Sequence, residues 1–243
     1  MARSNKKKSE YKNRGFIAVN NPNSPWNYVE AYKSLRTNLS FVSLDKQYRK
    51  LLVTSSIPKE GKTGLALNLA ISLAEARHRV LLLDCDLRKP MLHKYLGIQH
   101  NIGLTNLATG ERIENLIQEI PQANIHFIDA GVTPPNPVEL LGSSLVHEAI
   151  DYLQTKYDYL IFDTPPVGIV TDAAVLSMVT DGVIFVVRQR LAALDQIKLA
   201  KSNLMAVNAD IIGAILNDYD VSGTTKKGGY YYNYSTYGYK YKY

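Results

Sequence analysis

Cysteine is almost absent from this chain. Cys85 stands alone among 243 residues, which excludes an intramolecular disulfide framework and a four-cysteine metal cluster within one chain. That scarcity suits a reducing compartment. Long apolar runs are missing too. No stretch approaches the ~20 residues of a membrane span, and the basic start leads into no apolar segment of a secretory signal. The body also lacks positive charge. Of the formal +6, residues 1–14 hold +5 and residues 219–243 hold +3, leaving 15–218 at −2. A nucleic-acid-binding body is expected to be basic along one face, so no nucleic-acid partner is expected. A Lys/Tyr tail stacking on single strands is the reading this charge balance opposes. With 46% hydrophobic residues, the chain can bury the core of one large α/β domain.

What is present begins at residue 51. The apolar run Leu51–Val53 ends in the polar loop Thr54 to Thr63, which opens onto a helical pattern from Leu65 to Ala74. Strand, loop, Gly-Lys-Thr and helix form the context of a phosphate-binding loop. In that reading Pro58, Lys59, Glu60, Gly61, Lys62, Thr63 and Gly64 surround the phosphates. Lys62 reaches the β/γ-phosphates, and the Thr63 hydroxyl takes Mg²⁺. The usual pattern has a first glycine where this chain has Ser56.

Strand and helix patterns then alternate. Residues 79–86, 124–130, 158–163, 182–187 and 211–216 read as strands, with helices over 138–157 and 192–207. Near-continuous apolar strands alternating with helices imply a mostly parallel sheet covered on both faces, with ligands at the carboxyl ends of the strands. Asp163 falls at such an end, the place for a carboxylate holding Mg²⁺ through water; the alternative is a capping or loop aspartate. Asp84 and Asp86, two apart, are expected on one side of an extended strand. Two like charges there call for a shared cation or proton. Otherwise one pairs with Arg88 and the other is exposed.

The ends differ from this core. Residues 1–25 form a basic arm, 26–221 the nucleotide-binding domain and 222–243 a tail. Ahead of the first strand, Val29, Tyr32, Leu35, Leu39 and Val42 mark an amphipathic helix over about 26–43, with Glu30, Lys33 and Arg36 on its other face. The tail holds eight of the seventeen tyrosines: Tyr230, Tyr231, Tyr232, Tyr234, Tyr237, Tyr239, Tyr241 and Tyr243. It has no aliphatic residue to pack in that stretch, so it reads as a low-complexity segment, disordered when free.

Three blocks, TSSIPKEGKT, LLLDCDLRKP and LIFDTPP, resemble the Walker A, Walker A′ and Walker B motifs of the bacterial tyrosine kinases, P-loop NTPases unrelated to the eukaryotic kinase fold. The helix block from Pro22 to Phe41, the blocks at 134–143, 181–187 and 213–217, and the terminal tyrosines are similar to that family as well. The resemblance implies ATP- and Mg²⁺-dependent phosphorylation of the tail tyrosines between neighbouring subunits of a ring-like homo-oligomer. It implies a role in capsular or extracellular polysaccharide synthesis and export. With no span in the sequence, it implies a separate cytoplasmic chain, activated by a membrane-spanning chain-length regulator that recruits it to the inner membrane face. A cognate protein-tyrosine phosphatase is the implied opposing partner.

By the same resemblance, Lys62 and Thr63 bind phosphate and Mg²⁺, Asp163 is the Walker B aspartate, and Asp84 orients or deprotonates the tyrosine hydroxyl. Asp86 lies nearer the metal, Arg88 organises the loop, and Asn217 belongs to the adenine pocket. Glu30, Lys33 and Arg36 stand for the family's E-x₂-R-x₂-R association motif. Two residues depart from the family pattern: Lys59 replaces a glycine, and Lys33 replaces an arginine, losing bidentate pairing. The rival of the same fold is a partitioning or septum-positioning ATPase, whose signature lysine would fall at Ile57.

Overall fold

The computed structural model describes residues 18–44, 46–100 and 102–219. The basic stretch 1–14 and the tyrosine tail lie outside the described residues. A helix α1, Trp26–Val42, precedes strand β1, Lys50–Ser55. Helix α2, Lys62–Glu75, follows the phosphate loop and leads to β2, Val80–Asp84. A short α3, Leu92–Leu96, and two 3₁₀ turns, Leu104–Thr109 and Ile113–Leu116, precede β3, Gln118–Ile120, and β4, Ile125–Ile128. Then come α4, Pro137–Leu141, α5, Ser144–Gln154, and β5, Tyr159–Asp163. Helix α6, Asp172–Ser177, strand β6, Gly182–Arg188, helix α7, Leu194–Ala206, and strand β7, Ile211–Asn217, complete the order.

The seven strands form one sheet in the order β3-β4-β2-β5-β1-β6-β7. All neighbours are parallel except β3 and β4. Alternation along the strands sends side chains to two cores. Leu51, Val53, Leu82 and Ile161 face α1 and α2, whereas Leu52, Leu81, Leu83 and Phe162 face α5, α6 and α7. The expected P-loop architecture, a mostly parallel sheet with helices on both faces, is what the chain adopts. Among the described residues no helix is long and apolar enough to cross a membrane.

Three local expectations need correction. The helix read over 138–157 is two helices. At the break, a Cβ on Gly142 would come within 3.1 Å of Val175 Cγ1, and Ser143 caps α5 by accepting from the Val146 N–H at 3.3 Å. The strand read over 79–86 stops at Asp84, so Asp86 sits in the following loop and shares no strand face with Asp84. Strand β3 has three residues, too short to show a period, and went unread.

Leu52 is fully buried at the centre of the sheet. Its replacement by alanine should cost about 2–5 kcal/mol through lost transfer energy and the cavity left behind. Urea unfolding tests this: the midpoint should fall while the m-value stays constant.

Candidate active site

The phosphate loop is built around one of its own carboxylates. Glu60 is fully buried, and its Oε2 accepts from the Ser56 N–H at 2.7 Å, the Ser56 hydroxyl at 2.7 Å and the Ile57 N–H at 2.9 Å. Its Oε1 accepts from the Arg188 N–H of β6 at 3.1 Å. The Glu60 side chain therefore faces the protein, shaping the loop from behind. Asn217, at the end of β7, donates from Nδ2 to the Glu60 carbonyl at 2.8 Å. The structure thus places Asn217 as a buttress of the loop. A Cβ on Gly61 would lie 2.1 Å from that same amide, and Gly61 has φ +91°, so glycine is required twice over. Lys59 has φ 70°, the conformation in which the family glycine would be at ease. Its carbonyl accepts from Arg188 Nη1 at 3.3 Å.

Helix α2 starts straight after Gly61 with no side-chain cap. Its first N–H groups and the positive end of its dipole are thus directed at the loop, the standard device for phosphate. Lys62 bends back across this opening. Its Nζ lies 3.0 Å from Asp86 Oδ2 and 3.3 Å from both Asp163 Oδ1 and Thr63 Oγ1.

The carboxylates converge because β2 and β5 are parallel neighbours, with Asp84 and Asp163 in register at their carboxyl ends. Both are fully buried. Burial, followed by the Asp163 charge, pushes the Asp84 carboxyl well above the usual range. Burial also raises Asp163, against the pull of Lys62. For Lys62 burial acts downward, but Asp163 and Asp86 outweigh it and the net shift is upward. The adjoining Cys85 thiol is pushed up by burial and by Asp84, so it stays protonated and is no nucleophile.

Asp84 holds the following loop. Its Oδ1 accepts from the Asp86 N–H at 3.2 Å, and its Oδ2 from the N–H groups of Met91 and Leu92 at 3.2 and 3.1 Å. It does not line the cavity beside Lys62; Asp86 does. That cavity, about 530 Å³, is bounded by the phosphate loop, by Arg88, Met91 and Tyr95, and by Pro165 to Val170. A larger hollow of about 630 Å³ lies at the opposite, amino ends of the strands, around Arg79 and Tyr157. It has no phosphate loop, so chemistry and not volume selects the site. Arg88 pairs with neither Asp84 nor Asp86. Its Nε donates to Asp172 Oδ1 at 2.9 Å, at the start of α6, and the reading that paired one aspartate with Arg88 and exposed the other is overturned.

On α1, Lys33 and Glu30 pair with each other at 2.8 Å on the exposed surface. Arg36 turns inward instead, donating to the Ser72 carbonyl of α2, so it does not share their solvated face. Asp172, Arg188 and the inward role of Glu60 were not read from sequence. Their contacts span 84 and 128 residues, and no local spacing signals them.

Sheet, phosphate loop and a lysine among aspartates at the carboxyl edge define a P-loop nucleotide-binding protein. The family described as an AAA domain matches residues 59–212. The tyrosine-protein kinase YwqD of Bacillus subtilis is 36% identical over 218 residues, covering 89% of this chain and 91% of that protein. The putative tyrosine-protein kinase CapB of Staphylococcus aureus is 32% identical, covering 84% and 89%. The solved kinase domain of Escherichia coli tyrosine kinase ETK superposes with a TM-score of 0.80 at 32% identity, covering 92% of this chain and 86% of that one. Of the whole etk protein this chain spans 31%. The septum site-determining protein MinD of Pyrococcus horikoshii, solved with Mg-ADP, shares the fold more distantly, with a TM-score of 0.60 and 27% identity over 70% of each chain. The chain belongs to the bacterial tyrosine-protein kinases.

Two substitutions test the loop. Lys59→Gly should relieve the positive-φ strain, of order 1 kcal/mol before the entropy cost of glycine, and tighten nucleotide binding in an equilibrium titration. A drop in affinity would make the Lys59 ammonium a phosphate contact. Glu60→Gln leaves at least one buried N–H without an acceptor and should lower stability by about 1–3 kcal/mol. Thermal unfolding without nucleotide reads that loss directly.

Proposed function

We propose that this chain is an ATP-dependent autokinase that phosphorylates the tyrosines at 230–243 in trans, within an assembly that regulates polysaccharide synthesis and export. The observation that supports it most is the Lys62 cluster. One ammonium pairs with two carboxylates, Asp86 and Asp163, with Asp84 in register beside Asp163. Asp163 Oδ2 is buried with no hydrogen-bond partner among the described residues. That acid excess and that oxygen fit a divalent cation, held by Thr63 and Asp163 with Asp86 beside it. Mg²⁺ bound with ATP supplies neutralisation of the phosphate charge.

The residues then divide the work. Lys62 exchanges its carboxylate partners for phosphate oxygens, and the uncapped N–H groups of α2 hold the same anion. Asp86 faces the cavity and meets the incoming hydroxyl. A tyrosine of ordinary pKa near 10 needs such an acceptor at neutral pH. For Asp84 to orient that hydroxyl, its bonds to the N–H groups of 86, 91 and 92 must be released, so its role as base depends on the 85–91 loop opening. Arg88, tied to Asp172, fixes the outer end of that loop. Asn217 borders the adenine through the loop that it supports.

Association is supported by exposed apolar residues at both ends of α1, Trp26, Phe41 and Leu44, and by the edge strand β7, where Leu216 is half exposed. Glu30 and Lys33 belong to this contact in our reading, and Arg36 joins it on releasing the Ser72 carbonyl. A membrane-spanning chain-length regulator is the activator, bringing the chain to the inner membrane face, and a tyrosine phosphatase resets the tail.

Mixing Lys62→Met protein having an intact tail with active protein lacking residues 230–243 tests the trans step. Phosphotyrosine should appear on the inactive partner by mass spectrometry. Its absence, where wild type labels itself, would make the reaction intramolecular. Eight phosphates, each about −1.5 to −2 charges, would carry the segment 219–243 from +3 to roughly −9 to −13. Phosphorylation should therefore loosen the assembly, and identical sedimentation of both forms would refute that switch.

A further inference from the structure

Outside the phosphate site, three metal-ligating side chains meet at the carboxyl end of β4. Asp129 follows the strand and is fully buried. Helix α3 ends at Gly97, whose φ of 68° turns the chain back, and the Ile98 N–H closes the turn on the His93 carbonyl at 3.0 Å. The reversal stacks His100 on His93, with ring centroids 4.4 Å apart and planes 24° apart. Both rings aim Nδ1 at the same carboxylate. His100 Nδ1 lies 2.5 Å from Asp129 Oδ2, and His93 Nδ1 lies 3.9 Å from Oδ1. One donor atom from each residue can be chosen so that all lie within 4.8 Å of one another.

We infer that His93, His100 and Asp129 form a binding site for a divalent first-row transition ion of the zinc class, separate from the nucleotide site. One observation beyond the clustering supports it. His93 Nδ1 is buried without a hydrogen-bond partner among the described residues, a costly arrangement that an ion relieves.

The donor set fixes the class of ion. Two imidazoles and one carboxylate suit zinc and its neighbours, whereas Mg²⁺ prefers oxygen ligands alone. Donors around a tetrahedral zinc ion sit about 2.0–2.2 Å from the metal and hence roughly 3.3 Å from each other. The ion therefore takes the place of the proton between His100 and Asp129, parts that pair slightly, and draws His93 in. The His100 side chain is 28% exposed, which leaves an entry path and room for water in a fourth position. A metal here would clamp α3 to β4. The Leu92 N–H that opens α3 is bonded to Asp84, so the clamp would stiffen the loop carrying Asp86.

The test uses the full chain, free of any tag, stripped with a chelator and titrated with Zn²⁺ against a chromophoric competitor. One zinc per chain is expected, undisturbed by excess Mg²⁺. His93→Gln and His100→Gln should each weaken it at least about tenfold, and His78→Gln, on the exposed surface, should leave it unchanged. Co²⁺ should give the intense visible bands of a four-coordinate site in wild type and lose them in both variants. Asp129→Asn should also lose zinc. If that variant fails to fold by circular dichroism, the two histidine variants decide. No zinc on wild type, or equal affinity in the folded histidine variants, would overturn the assignment.

Discussion

The ammonium of Lys62 is the charge on which this site depends. It lies between Asp86 and Asp163, and Asp84 is in register with Asp163 on the next strand. Fully ionised, three carboxylates against one ammonium leave an excess of negative charge in a buried pocket, which is unfavourable without a further cation or proton. Burial is the main reason the Asp84 and Asp163 carboxyls are both pushed upward, and the neighbouring acids add to it. The imbalance also makes the pocket complementary to a metal-bound triphosphate, whose cation compensates the acids while its phosphates compensate the lysine. A neutral pocket would bind neither part as selectively.

The loop that presents Lys62 is shaped by a second buried carboxylate. Where the usual pattern has a first glycine, Ser56 gives both its N–H and its hydroxyl to Glu60. A hydrogen-bonded turn thus stands in for conformational freedom at that position. The same loop places Lys59 at positive φ, a residue with no glycine-like tolerance for it. The Arg188 guanidinium, held on the Lys59 carbonyl and on Asp218, helps keep the strained segment in place. Loop order here comes from side chains at 60, 188 and 217 more than from the backbone.

Much of this was legible from local pattern. The apolar run before Gly-Lys-Thr and the helix after it were enough to locate the phosphate loop, and Asp163 was legible from its position ending an apolar strand. What pattern could not reach was partnership across the fold. Arg88 was naturally set against its neighbours at 84 and 86, yet it bonds to Asp172, brought near by the crossover after β5. Arg36 read as one of a charged row, but its length lets it reach a carbonyl of α2. Gly142 sits inside a continuous helical period, and only the closeness of Val175 shows why the helix breaks there. Asp84 reads as sharing one strand side, and a cation or proton, with Asp86. Its bonds to three N–H groups depend on how the next eight residues fold back, which no spacing encodes.

Where β7 ends bears on the proposed phosphorylation of the chain's own tyrosines. Strand β7 ends at Asn217, against the phosphate loop, so the chain leaves the domain on the β7 side. The acceptor side, marked by Asp86, Arg88 and Met91, follows β2. In the order β2-β5-β1-β6-β7 these lie four strand steps apart, roughly 19 Å at the usual spacing. The eleven residues from Tyr219 to Tyr230 span at most about 36–40 Å, so length alone does not forbid an intramolecular path. That path, however, runs across the loop after β1, where the phosphates must sit. In the proposed reaction between subunits, a neighbour's tail would approach Asp86 from the β2 side without covering the phosphate loop. Steric competition with the nucleotide, not reach, is the physical reason to expect exchange between subunits.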